Sequence, residues 1–274
     1  MKRYMNIIKT LIIAVATFAV VVPAHAYETS VKTLWSEGNE AYAAEEYDAA
    51  IAAYSAIVER GYESDILYYN LGNAYFKRGQ GNVDGHGKAF NSGELGRAIL
   101  NYERALKINP ELDDARYNRD LAYKLTNAPD EVPVGFLTSM WRSMSGVFSS
   151  NTWTITSLVM FFITLVLVLL YLLANNIVLR KVSFFVSIIT LLAFILTTAC
   201  AITQRDVQQD SSRAVIVCND TQAIHSEPSN KSKVIREHSQ GVVVEVLRSE
   251  KEWSEVKFAD GEKGWILTDA IEVI

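Results

Sequence analysis

The stretch WTITSLVMFFITLVLVLLYLLA, residues 153–174, and its neighbour VSFFVSIITLLAFILTTACAIT, residues 182–203, decide how the rest of the chain is read. No Asp, Glu, Lys, Arg or His occurs from Asn151 to Leu179, and none from Val182 to Gln204. A helix of about 22 residues spans roughly 33 Å, enough to cross the hydrocarbon of a bilayer. One Lys or Arg at its centre would cost about 2.5–3.5 kcal/mol of insertion free energy, so its absence over two such windows carries weight. A buried helix of a soluble core usually holds about 10–14 apolar residues, fewer than either run. Residues 175–181 separate the runs, which predicts a tight antiparallel transmembrane hairpin with soluble chain on either side.

Working outward, the flanking parts are acidic. Residues 27–150 carry 18 Asp and Glu against 12 Lys and Arg, and residues 204–274 carry 13 against 9. That balance argues against nucleic acid as a partner and against docking of these parts on anionic lipid. Of the two cysteines, Cys200 falls inside the second run and Cys218 beyond it, so no disulfide framework is expected. At the N-terminus Lys2, Arg3 and Lys9 precede the apolar run Leu11–Val22, Pro23 and the small-residue pattern Ala24-His25-Ala26. This is the order of a signal peptide over residues 1–26, either cleaved after Ala26 or kept as an anchor. Export of the following segment is expected to place both soluble parts on the outer side of the membrane, which is the periplasm where that membrane is a bacterial inner membrane. The short loop 175–181, with Arg180 and Lys181, is then cytoplasmic, as the positive-inside bias prefers.

Between the signal segment and the hairpin the chain repeats itself. Leu34-Trp35-Ser36-Glu37-Gly38-Asn39-Glu40-Ala41-Tyr42 aligns with Tyr68-Tyr69-Asn70-Leu71-Gly72-Asn73-Ala74-Tyr75-Phe76, at a spacing of 34 residues. Tyr47, Ala50, Ile51 and Tyr54 align in turn with Leu95, Ala98, Ile99 and Tyr102, and Pro110 closes the second copy. A small residue lets two helices of one hairpin approach, and large aromatics fill the gap beside it. Residues 31–126 therefore resemble tetratricopeptide repeats, an α-helical solenoid of two repeats with a capping helix over Glu111–Leu125. The copies differ by a fourteen-residue insertion within loop 80–93. Gly81–Ala89 nearly spells a phosphate loop, but the spacing, Ala89 and the preceding helix are wrong for one. A calcium loop from Asn82 would need an acid where Gly93 stands. A surface loop is the better reading. The resemblance implies a concave face that binds an extended peptide, with Trp35, Asn39, Tyr42, Tyr69, Asn70, Asn73, Phe76 and Asn118 as the partner-binding residues.

After Pro129 and Pro133, residues 135–149 place Phe136, Leu137, Met140, Trp141, Met144, Val147 and Phe148 on one helical face, which predicts an interfacial amphipathic helix. Beyond the polar stalk Gln204–Arg213 come alternating runs at Ala214–Cys218, Gln222–His225, Gly241–Arg248, Trp253–Phe258 and Lys263–Leu267. Five short strands with turn-rich connections predict a small all-β barrel over 213–274. Ser226-Glu227-Pro228-Ser229, the Gly241–Leu247 run, Trp253 and Asp260–Ile266 resemble bacterial SH3-like domains. Trp253 and Trp265 join the partner-binding candidates, although both also suit a core.

No nucleophile, paired acid or metal-spaced His and Cys set stands out, so an enzyme is not expected, nor a cofactor. The order of signal peptide, tetratricopeptide repeats, two-span hairpin and SH3-like domain resembles the BatE-type proteins of the bacterial aerotolerance operon. That resemblance implies a scaffold working beside membrane proteins with von Willebrand factor A domains and, indirectly, a MoxR-type AAA+ ATPase. The alternative is a protein that binds or senses peptidoglycan through the SH3-like domain.

Overall fold

The computed structural model describes residues 30–80, 93–126, 136–218 and 221–274. The signal segment 1–26, most of the inserted run 80–93 and the prolines at 129 and 133 lie outside the described residues. The described chain divides into two compact units, one ending at Glu63 and one running Ser64–Ile274.

The first unit is a helical hairpin, α1 over 30–43 and α2 over Tyr47–Glu59. Ala50, Ile51, Ala53, Tyr54 and Ile57 of α2 are buried, the i, i+3, i+4, i+7 stripe of an amphipathic helix. Tyr54 lies on Gly38 so closely that a Cβ there would come 2.5 Å from its Cε1. The same ring meets Trp35 at a centroid distance of 5.8 Å, and its hydroxyl donates to Asn39 Oδ1 at 2.7 Å.

The second unit begins with α3 (Asp65–Gln80), α4 (Glu94–Ile108) and α5 (Asp113–Leu125). Its first hairpin repeats the local chemistry of the other. A Cβ on Gly72 would lie 2.7 Å from Tyr102 Cε1, and the Tyr102 hydroxyl donates to Asn73 Oδ1 at 2.8 Å. The two copies thus share a Gly–Tyr and an Asn–Tyr contact, in which the Gly and Asn recur after 34 residues and the Tyr after 48. Arg78 and Glu94 form a bidentate pair at 2.9 and 2.8 Å across the ends of α3 and α4.

Then come α6 (Phe136–Ser145), α7 (Ser150–Leu173) and α8 (Ile177–Gln209). Helices α7 and α8 are long and apolar enough to cross a membrane. Their outward sides expose Leu, Ile, Val and Phe along the whole length, an apolar surface far larger than a soluble monomer usually tolerates. Their facing sides are small or polar. Ser157 and Thr198 hydroxyls meet at 2.7 Å, Thr164 donates to Thr190 at 2.9 Å, and Ser150 donates to the Ala201 carbonyl at 3.2 Å. Ser150, Ser157 and Thr164 recur every seven residues, as do Ser183, Thr190, Thr197 and Gln204, so one seam of each helix faces the other.

The boundaries differ from those expected from 153–174 and 182–203. Helix α7 starts three residues earlier, at Ser150, capped by Ser149, whose hydroxyl accepts from Thr152 N. Asn176 caps α8, so Arg180 and Lys181 sit in its opening turns and not in a loop. At its other end α8 runs on to Gln209, so the polar stalk is largely helix. The amphipathic segment is helical only over Phe136–Ser145, with Phe136, Leu137 and Met140 exposed while Trp141 turns inward and donates to Thr203 Oγ1 at 3.3 Å.

The C-terminal part is a seven-stranded antiparallel sheet: β1 (Arg213–Ile216), β2 (Gln222–His225), β3 (Val234–His238), β4 (Val243–Glu250), β5 (Trp253–Lys257), β6 (Lys263–Leu267) and β7 (Ile271–Val273). The order is β3-β2-β6-β5-β4-β1-β7, where five strands were expected. Strand β1 alternates between two interiors. Ala214 and Ile216 join Ile224, Val244, Val256, Phe258 and Ile266 within the sheet domain. Val215 and Val217, with Ile274, join Leu95, Ile99, Leu100 and Tyr102 of α4. Helix α4 and the sheet therefore close around one shared core.

Candidate functional site

The joint between α4 and the sheet is made by polar contacts along the whole of α4. Gly93 precedes α4 without a side-chain cap, and Gln240 of the sheet fills that role by accepting from Gly96 N at 2.9 Å. Gly241 follows in the left-handed region (φ +86°), and a Cβ there would lie 2.6 Å from Ile99 Cδ1. Along α4, Arg104 donates to the Val273 carbonyl at 2.6 Å, and Lys107 donates to the Ile274 carbonyl at 2.8 Å and to the Asp210 carbonyl. At the centre is Glu103, 7% exposed, which pairs with Arg119 of α5 at 3.3 Å and Arg213 of β1 at 3.2 Å and accepts from the Tyr123 hydroxyl at 3.2 Å. Burial, reinforced by the Glu103 charge, pushes the Tyr123 phenol well above its ordinary range. Arg119 is held above its ordinary value because Glu103 and Asp120 outweigh the cost of its burial. A buried carboxylate with three partners from α5 and β1 is a clamp, since removing one partner would strand a charge away from water.

Helices α3 and α5 carry the amides read as partner-binding, while Tyr69 of α3 packs against the core shared with the sheet. Asn73 Oδ1 accepts from both the Tyr102 hydroxyl and Asn118 Nδ2, the latter at 2.9 Å, which joins α3 to α5 through side-chain amides. Half-buried Tyr69 and Asn70 precede Asn73 on α3, and Tyr117, 71% exposed, stands beside Asn118 on α5. Amides fixed in this way can meet the carbonyl and N–H groups of an extended chain, and exposed Tyr adds contact area at low entropic cost. In the first unit Asn39 is exposed, Trp35 is half-buried against Tyr54, and Tyr42 is half-buried edge-on to Tyr47 at 5.6 Å.

Three residues read as partner-binding are misplaced for that role. Phe76 (8% exposed) belongs to the core shared with the sheet. Trp253 (8%) packs against His225 at 5.1 Å, and Trp265 (6%) lies beneath Arg248 at 5.0 Å. Buried rings of this kind hold the fold and offer no surface. What the sequence reading missed is the clamp: Glu103, Arg119, Tyr123 and Arg213. The one available sign was that Leu95–Tyr102 is apolar nearly all round, as a helix covered on several sides must be.

The sheet domain presents its own polar cluster. Arg236 reaches Asp260 at 2.6 Å and Glu262 at 2.8 Å above the Phe258 ring, and its hydrogen bond keeps the Asp260 carboxyl below the ordinary range. His238 stacks on Phe258 at 4.5 Å; burial, then the Arg236 charge, lowers its pKa. Among the described residues no three His, Cys, Asp or Glu side chains converge to hold a metal. Glu111 ties the helices to the apolar pair: its carboxylate accepts from Ser149 N at 2.8 Å and Thr152 Oγ1 at 3.0 Å at the start of α7. The Ser149 N–H is the main reason its pKa is lowered.

Residues 219–272 match the family model for the bacterial SH3 domain. No curated protein matches the chain. The matched span begins after β1, so the strand that joins sheet to helix lies outside the matched residues. The chain is thus a helical N-terminal region, two apolar helices and a C-terminal antiparallel sheet of bacterial SH3 type.

Proposed function

We propose that this chain is a membrane-held adaptor in which the helical hairpins are tetratricopeptide repeats and the α3–α5 face grips an extended peptide of a partner protein. The observation that carries the reading is the Asn73–Asn118 amide pair with exposed Tyr117 beside it. The matching Gly–Tyr and Asn–Tyr contacts of the two hairpins support the repeat assignment. The exposed apolar lengths of α7 and α8 support the anchor. In this reading both soluble parts lie in the periplasm and the chain performs no catalytic step. The partners are membrane proteins with von Willebrand factor A domains, and through them a MoxR-type ATPase, as the domain order suggests.

The test is capture of such proteins by the full chain after crosslinking in cells. Tyr117→Ala with Asn118→Ala should reduce capture about tenfold or more, the scale of losing a hot-spot residue or two. Undiminished capture with normal accumulation of the variant would reject the face.

A second reading, peptidoglycan binding through the sheet domain, is favoured by the bacterial SH3 match over 219–272. Solubilised full chain should then sediment with insoluble peptidoglycan. Complete recovery in the supernatant would remove it.

A further inference from the structure

At the turn of the apolar hairpin the structure holds a cleft of about 550 Å³ lined by Tyr171, Ile177, Arg180, Lys181, Phe184 and Phe185. Four of those side chains are apolar or aromatic and two are cations. Tyr171 meets Phe184 at 5.5 Å, and the Arg180 guanidinium lies 5.6 Å from the Tyr171 ring centroid. That stacking holds the guanidinium in place while leaving its N–H fork free for an oxyanion. No Asp or Glu occurs between Glu131 and Asp206, and Asp206 lies roughly 39 Å further along α8 at 1.5 Å per residue. Neither cation therefore has a carboxylate of its own helix pair to neutralise it.

The level of the cleft narrows its occupant. Trp153 and Tyr171 are separated by roughly 27 Å along α7, close to the thickness of bilayer hydrocarbon. If α7 and α8 cross a membrane, the premise this inference shares with the proposed function, Tyr171 stands at one interface and the cleft opens at headgroup depth. An occupant must present a negative headgroup to Arg180 and Lys181 and acyl chain to Ile177, Phe184 and Phe185. We infer that the cleft is a binding site for an anionic diacyl phospholipid. A soluble phosphate would leave the apolar part of the lining unmatched, and a zwitterionic lipid would bring the ammonium of its headgroup up to the two cations.

The experiment uses the full chain reconstituted in phosphatidylcholine bilayers containing a minority of phosphatidylglycerol. Lipids that stay with the protein after gentle extraction are then measured by native mass spectrometry. Phosphatidylglycerol should be enriched about tenfold or more over its bulk share, in keeping with two basic groups at the surface. Arg180→Gln with Lys181→Gln should bring the enrichment to about unity. Ile177→Trp, which crowds the cleft and keeps both charges, should also reduce it. No enrichment, or enrichment unchanged in the double variant, overturns the site. Enrichment that survives Ile177→Trp overturns the cleft and leaves only diffuse charge attraction. Loss of enrichment on adding inorganic phosphate reassigns the cations to a soluble anion and overturns the lipid. Failure of the chain to float with vesicles refutes the crossing itself, and the site with it, whereas flotation without enrichment refutes the site alone.

Discussion

Replacing Gly96 by alanine separates local preference from the joint between α4 and the sheet, because the two predict opposite signs. Alanine is preferred to glycine within a helix by about 0.8–1 kcal/mol, and somewhat less in a first turn, so helix preference alone predicts stabilisation. The surroundings of Gly96 predict the reverse. An added Cβ would lie 2.8 Å from the Ile216 carbonyl oxygen, 3.2 Å from Gln240 Cβ and 3.3 Å from Gly241 N. Two of these are backbone atoms at a strand and its turn, which cannot rotate away as the tip of a side chain could. The sheet must shift by roughly half an ångström, an overpacking cost of about 1–3 kcal/mol. The shift also stretches the Gln240 bond that caps α4, and weakening a cap adds about 0.5–1 kcal/mol. The net is a loss of about 1–3 kcal/mol, equivalent to a fall of about 3–10 °C in Tm for a unit of this size. Thermal unfolding of the full chain in detergent, followed by tryptophan emission, measures it. A rise in Tm would refute the reasoning, since it would mean that α4 obeys its own helix preference without feeling the sheet.

Glu103→Gln should cost about 1.5–3 kcal/mol, the worth of hydrogen bonds to charged groups, and speed hydrogen exchange along β1, because the partly exposed Arg119 and Arg213 lose their counter-charge; a change within error would show the clamp to be ornamental. Tyr54→Phe should cost about 0.5–1.5 kcal/mol in the first unit through loss of the Asn39 bond, read by hydrogen exchange of α1 and α2. His238 is held below its ordinary value near 6.5, so its share of stability is present above that pH and drains away as pH falls through the lowered folded value. His238→Phe should therefore flatten the decline of Tm between neutral and mildly acidic pH, and a parallel decline in the variant would exclude this histidine as the cause.

How much of this was legible in the sequence depends on the range of the interactions involved. The apolar runs announced themselves because a charge-free stretch of that length has few other uses, yet their ends moved. Ser149 and Asn176 cap the helices outside the apolar runs, and nothing in Gln204–Gln209 forbids helix once it has left the apolar stretch. The likeness of the two hairpins was readable because Gly38 and Asn39 recur 34 residues on as Gly72 and Asn73, although the insertion puts their tyrosine partners, Tyr54 and Tyr102, 48 apart. Strands β3 and β7 escaped notice for a different reason. Val234–His238 carries charges at two of five positions, and Ile271–Val273 is three residues long, so neither gives a clear alternation. The shared core was out of reach, because it joins residues far apart in the chain, as Gly96 to Gln240 and Arg104 to Val273 illustrate. Its trace was the unbroken apolar run Ala214–Cys218, which reads as an ordinary strand until its second face is seen to be buried against α4. The same distance hid the burial of Phe76, whose place in the aligned repeat suggested an open groove.

The most direct test of the adaptor account is site-specific photocrosslinking in living cells, with the reactive group placed either at Tyr117 on α5 or at exposed Val234 on β3. The account predicts a discrete protein adduct from Tyr117 and none from Val234. Wall glycan trapped at Val234, with no adduct from Tyr117, would contradict it and move the function to the sheet domain.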